Sequence, residues 1–146
     1  MRGAAVHTIG GVKAMSQAKA IELWDGLTRT HSTVTAALER DMSSEAGIAL
    51  AWYEVLRHLS TAEGGMLRYQ ELARVGGITN SGASRRLEQM TKAGLIERRS
   101  CPTDRRGVFA HITPKGEAAF TKSHAVFVRS LARNLDQLVA FKVLSN

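Results

Sequence analysis

Between Arg68 and Lys115 the chain carries ten lysines and arginines against four acids, a local charge of +6, and the remaining residues add only +1 to a total of +7. A basic middle between near-neutral ends is the electrostatic footprint expected for a polyanionic partner. Two clusters in this middle have residue types suited to recognising one. The first is Thr79, Asn80, Ser81, Ser84, Arg85 and Arg86, which mixes small hydroxyl and amide groups with two guanidiniums. Such groups hydrogen-bond to phosphate oxygens and to base edges. The second is Asp104-Arg105-Arg106. An arginine loses about 2 kcal/mol of rotamer entropy when it is fixed. An aspartate two residues earlier can pair with it and hold it extended. The plainer reading is a solvated turn whose surface ion pair is worth under about 1 kcal/mol.

Other chemistry is poorly provided for. No nucleophile with a base, paired carboxylates or phosphate loop stands at a meaningful spacing, so no catalytic residue is assigned and no enzyme is expected. The histidines, His7, His31, His58, His111 and His124, form no H-x-x-x-H pair, and the single cysteine, Cys101, forms no C-x-x-C. No metal and no cofactor are therefore expected. One cysteine also excludes an internal disulfide framework and fits a reducing compartment. No apolar run approaches the roughly 18 residues that span a bilayer, and the N-terminus lacks a continuous apolar signal segment. The expected location is the cytoplasm, with no membrane partner.

The elements that must position the clusters are mostly helical. With 146 residues, 44% of them apolar, the chain can build one ordinary core. Residues 1–15 read as a loose arm. From Ser16 the positions Ala20, Leu23, Trp24, Leu27, His31, Val34 and Leu38 repeat at helical spacing. They predict a long amphipathic helix ending near Met42-Ser43-Ser44, in which His31 reads most simply as a core histidine. A second helix starts around Ile48 or Ala49, and Gly64-Gly65 breaks the chain. A short helix follows at Tyr69 to Val75, ended by Gly76-Gly77. The next opens at Thr79 or Asn80, both good N-caps, and runs to Ala93. Ala83, Leu87 and Met90 point inward, Gly94 caps its end, and Leu95-Ile96 return to the core. Ile96 to Arg99 and Val108 to Ile112 read as two strands around a polar loop that contains Asp104-Arg105-Arg106. Thr113-Pro114 opens a helix to about Asn134, and a last helical piece carries Leu135, Leu138, Val139, Phe141, Val143 and Leu144.

Helix, glycine-rich turn, helix and basic hairpin, in that order, describe a winged helix-turn-helix. The fold class is mainly α, or α+β, with this lobe at residues 48–113 and flanking helices at 16–47 and 114–146. A step of about 100° per residue turns Ser81, Ser84, Arg85, Glu88 and Lys92 outward when Ala83, Leu87 and Met90 face in. Arg85 is then the candidate for guanine O6 and N7, and Asn80 for adenine or phosphate. Arg86 lies on the flank as a backbone contact. Arg106 is placed in the minor groove with Asp104 orienting it, and Arg105 on the phosphates. An acid at Glu88 costs phosphate affinity but could accept from cytosine N4.

From Leu67 to Phe120, "LRYQELARVGGITNSGASRRLEQMTKAGLIERRSCPTDRRGVFAHITPKGEAAF" resembles the MarR family of bacterial transcription regulators. The wing "DRRG" followed by "TPKG" is the most specific part. "AGLIERR" alone is shared by several winged-helix families. The layout of the flanking helices extends the likeness to residues 16–146. The resemblance implies a homodimer whose N- and C-terminal helices interlock, with two lobes spaced for a pseudo-palindromic operator in double-stranded DNA. It implies a repressor released by a small aromatic effector, bound where the first two helices meet the winged lobe. Trp24, His31, Trp52 and His58 are candidates for that pocket, though each reads more simply as a packing residue. Two alternatives stand beside this reading. One is a winged-helix protein-interaction module without specific DNA binding. The other is a redox-responsive regulator acting through Cys101. Peroxide-sensing members carry their cysteine in the first helix, where this chain has none, which favours an incidental thiol at Cys101.

Overall fold

The structure, a computed structural model, describes residues 15–75, 80–101 and 103–145. Within these, residues 75, 80, 81, 101, 104–106 and 141–145 are described by their backbone. The elements run in the order α1 (Gln17–Asp41), a π-helical turn (Met42–Ala46), α2 (Leu50–Thr61), a 3-10 turn (Glu63–Gly65), β1 (Met66–Arg68) and α3 (Tyr69–Val75). They continue with α4 (Asn80–Lys92), β2 (Ile96–Cys101), β3 (Asp104–Ile112), α5 (Pro114–Arg133) and α6 (Leu135–Ser145). The fold is the mainly helical winged-helix architecture expected from the residue pattern, with a small three-stranded antiparallel sheet. No described helix is long and apolar enough to cross a membrane.

The chain divides into two compact units, Met1–Ala37 with Leu131–Asn146, and Leu38–Ser130. In the first, Ser16 caps α1 by accepting from the Lys19 amide at 3.2 Å. The apolar stripe of α1 is buried at Val34. Trp24, Leu27 and His31 are exposed, so His31 is not the core histidine that its spacing suggested. Periodicity fixes which residues share a face; whether that face is covered depends on what packs on it. α6 likewise leaves Leu135, Leu138 and Val139 exposed.

The second unit holds the core. Met42, Tyr53, Leu56, Leu59, Leu72, Leu87, Met90, Ile96, Ala110, Ile112 and Val126 are buried in one cluster. The fully buried Tyr53 packs its ring on Phe127, with centroids 4.5 Å apart, and its hydroxyl lies 2.9 Å from Nδ1 of His124. Burial pushes the Tyr53 hydroxyl up to about 12, with Arg57 opposing and Glu54 adding to the effect. The buried Asp41 is satisfied by Ser130, whose hydroxyl donates to it at 2.7 Å, and by Arg40 at 3.1 Å. A buried carboxylate without such donors would carry a large desolvation cost.

The sheet has the order β1-β3-β2. β1 was not foreseen. Its three residues show no alternation, and the ladder partners that define it, His111, Ala110 and Phe109, are distant in sequence. The wing strands are also longer than the expected Ile96 to Arg99 and Val108 to Ile112. β3 begins at Asp104, so Asp104, Arg105 and Arg106 belong to a strand and not to the loop. Backbone pairing across the hairpin, Cys101 with Asp104, outweighs the turn-like composition of this stretch.

The end of α4 is locked to the start of α5. Gly94, at φ +75°, closes α4 in a Schellman turn, with Leu95 N–H on the Met90 carbonyl at 3.1 Å and Gly94 N–H on that of Thr91 at 2.9 Å. Thr113 caps α5 by accepting from the Gly116 amide at 3.0 Å, and its own hydroxyl donates to the Gly94 carbonyl at 2.6 Å. Lys115 donates to the Ala93 carbonyl at 2.8 Å, placing a cation at the negative end of α4. Gly116 is there for space, because a Cβ would stand 2.1 Å from the Leu95 carbonyl oxygen. Gly116→Ala should therefore cost about 3 kcal/mol, the upper part of the overpacking range. Urea denaturation would show a lowered midpoint at unchanged slope, and a variant as stable as wild type would mean that the junction opens freely.

A candidate nucleic-acid interface

α4 presents one apolar and one polar face. Ala83, Leu87 and Met90 are buried, as their spacing predicts. Ser84 and Arg85 are exposed and Arg86 is half-buried. Arg85 has no ion-pair partner among the described residues. Glu88 and Lys92 form an exposed i,i+4 pair at 3.3 Å, in the favourable order of acid before base. The negative charge on this face thus has a cation of its own beside it. Thr79 lies outside the described residues, as do Gly76-Gly77, and Asn80 and Ser81 open α4 with their side chains outside the description.

The wing is a ladder with one irregularity. Ile96 pairs with Ile112, Arg98 with Ala110 and Ser100 with Val108; the next pair joins Cys101 to Asp104. Residues 105–107 fall between these two pairs, in the manner of a bulge. The assignment of Arg106 and Asp104 to one side, with Arg105 opposite, assumed a regular strand. Strict alternation does not extend across a break of this kind, and the three side chains lie outside the description, as does that of Cys101.

Below the tip, two arginines sit on aromatic rings. Arg98 Cζ lies 5.9 Å from the centroid of Tyr69, and Arg68 Cζ lies 5.2 Å from that of Phe109. Arg99 is instead ion-paired to Glu97. An open cleft of about 750 Å³ lies between α4 and the wing, with Ser84, Glu88 and Lys92 on one side and Arg98 and Val108 on the other. Tyr69 and Arg68 also line it. Neither arginine was singled out in the sequence. The available signal for Arg98 was alternation, since it is two residues from the buried Ile96 and so belongs to the inner face of the hairpin.

The effector candidates divide between the units. Trp24 and His31 are exposed on α1 in the first. Trp52 and His58 are half-buried on α2 in the second. Burial lowers the His58 pKa, Arg57 lowers it further and Glu54 opposes both. None of the four lines the cleft beside α4, nor a hollow of about 350 Å³ bordered by Glu39, Ser43, Ile48 and Leu50. Among the described residues no three His, Cys, Asp or Glu side chains are grouped to hold a metal ion.

Residues 46–107, from the turn before α2 to the wing, match the model of the MarR family. AbsC, a MarR family transcriptional regulator of Streptomyces coelicolor, superposes with a TM-score of 0.75 at 28% identity, over 87% of this chain and 84% of that one. Sco3205, a MarR family transcriptional regulator of the same organism solved in complex with DNA, gives a TM-score of 0.73 at 25% identity, over 86% and 78%. The chain is thus similar to MarR family transcriptional regulators, in sequence over this middle segment and in fold over most of its length. CouR of Rhodococcus jostii RHA1, solved with p-coumaroyl-CoA bound, shares the fold, with a TM-score of 0.69 at 24% identity over 81% of each chain. No curated protein sequence matches the chain. The matched segment contains α4, β2 and the first residues of β3, and with them most of the residues that line the cleft.

Proposed function

We propose that this chain is a sequence-specific, dimeric DNA-binding regulator, a repressor released by a small-molecule effector. The observation that carries DNA binding is the exposed Ser84–Arg85 face of α4, set beside the wing in a segment of charge +6. In this reading residues 48–113 bind DNA and residues 16–47 and 114–146 dimerise. α4 enters the major groove with its N-terminal half, Thr79, Asn80, Ser81, Ser84 and Arg85, towards the bases. Arg86 contacts the backbone. The DNA-bound state of Sco3205, at 25% identity, supports the same docking here.

Selection of bound duplexes from a random pool, with and without small aromatic acids, tests both binding and release. Arg85→Ala should relax preference at one position per half-site, costing about 1–3 kcal/mol of discrimination. An Arg85→Ala protein as selective as wild type would remove Arg85 as a reader.

At the wing, Arg106 is proposed for the minor groove, Arg105 for the phosphates and Asp104 for orienting Arg106. Removing an acid near DNA raises affinity when charge alone matters. The orienting role requires the reverse, so Asp104→Ala should weaken binding at fixed salt. A gain in affinity would refute the arrangement.

Dimerisation is supported by the apolar surface of the first unit, where Trp24 is 66% and Leu135 54% exposed. Leu138 and Val139 continue that surface along α6. Patches of this kind mark interaction sites, and two-fold symmetry would set inverted half-sites about 10 bp apart. Leu135→Asp with Val139→Asp should convert dimer to monomer in sedimentation velocity and abolish tight operator binding. A doubly substituted protein that stays dimeric would remove α6 from the interface.

A further inference from the structure

We propose that the cleft between α4 and the wing seats the sugar–phosphate backbone of one DNA strand, with Arg98 as its principal cation, held ready by Tyr69. The inference rests on the DNA-binding reading and deepens it. If α4 occupies a major groove and the wing the adjacent minor groove, the strand between those grooves must cross the space between the two elements. That space is the cleft lined by Ser84, Lys92, Arg98 and Val108.

The lining suits a polyanion. Arg68, Lys92 and Arg98 face it against one acid, Glu88, which is already paired with Lys92. Arg98 differs from Lys92, Arg99 and Lys115, and shares with Arg68 a seat on an aromatic ring. Arg99 is held by Glu97, Lys92 by Glu88, and Lys115 by the Ala93 carbonyl. Arg98 is exposed and has no ion-pair partner among the described residues; it lies over the Tyr69 ring. An aromatic face attracts a guanidinium without using its hydrogen-bond donors. Tyr69 therefore restricts Arg98 while leaving its N–H groups for phosphate oxygens. The rigid ladder below the tip, where Arg98 pairs with Ala110, fixes the base of the side chain.

The test uses the full chain and a duplex selected by the wild type, with affinity measured across a salt series. Arg98→Ala should lose about tenfold in affinity at moderate salt, flatten the log–log salt slope by about 0.9, and leave base preference unchanged. Arg98→Lys should restore the slope but not the full affinity, because an ammonium stacks less well and offers no fork of donors. Tyr69→Leu keeps the charge, so it should lower affinity by roughly threefold with the wild-type slope, its thermal midpoint being checked to separate this loss from unfolding. An unchanged slope for Arg98→Ala would overturn the backbone seat while leaving DNA binding intact. A change in base preference would overturn it too, by making Arg98 a reader. Loss of an aromatic acid's effect in Arg98→Ala, with the slope retained, would assign the cleft to a small anion instead. Failure of the wild type to select any duplex would end this inference and the DNA-binding reading together.

Discussion

The junction of α4 with α5 is the constraint on which the basic face depends. A face made of a helix and a hairpin keeps its shape only if the two are fixed to one another. Here the Gly94 and Leu95 carbonyls, just beyond the end of α4, receive the Thr113 hydroxyl, and the Leu95 carbonyl also faces the glycine at position 116. Thr113 directly follows β3, the central strand of the sheet. The same few atoms therefore end the helix, end the wing and begin α5. The T-P-K-G stretch thus has a mechanical explanation: threonine to cap and bridge, proline to enter the helix, lysine to hold a carbonyl, and glycine to permit contact.

Much of this was legible in the sequence because its causes are local. The inward positions Ala83, Leu87 and Met90, the glycine closing α4 and the Thr-Pro start of α5 each follow from spacing or from one residue's conformational preference. What was hidden depends on partners far along the chain. β1 exists because Met66, Leu67 and Arg68 meet β3. The Tyr53 hydroxyl meets His124, and Asp41 meets Ser130, across separations that no periodicity reports. The wing tip is a related case. Its composition is that of a turn, yet its backbone enters the ladder, and the break in register there defeats simple alternation. Trp24, Leu27 and His31 share the helical spacing of Val34 but not its burial.

Charge in the middle segment is also less uniform than its count suggests. Arg99, Lys92 and Lys115 spend their donors within the fold. Arg85 and Arg98 do not have ion-pair partners among the described residues. A net charge attracts a polyanion at long range, whereas close contacts depend on cations whose donors are still available. The two arginines are on different elements, α4 and β2, so a ligand meeting both must contact the helix and the hairpin.

The two tryptophans fall one to each compact unit, Trp24 in the first and Trp52 in the second. Trp24 is largely in solvent, and Trp52 is half-buried on the helix whose neighbouring Tyr53 anchors the core. Intrinsic fluorescence therefore contains two spectrally separable signals. Covering of α1 by a second copy would move the Trp24 component to shorter wavelength, whereas the Trp52 component reports the packing of α2. Quenching by iodide should discriminate between them, giving an optical readout of each unit without any label.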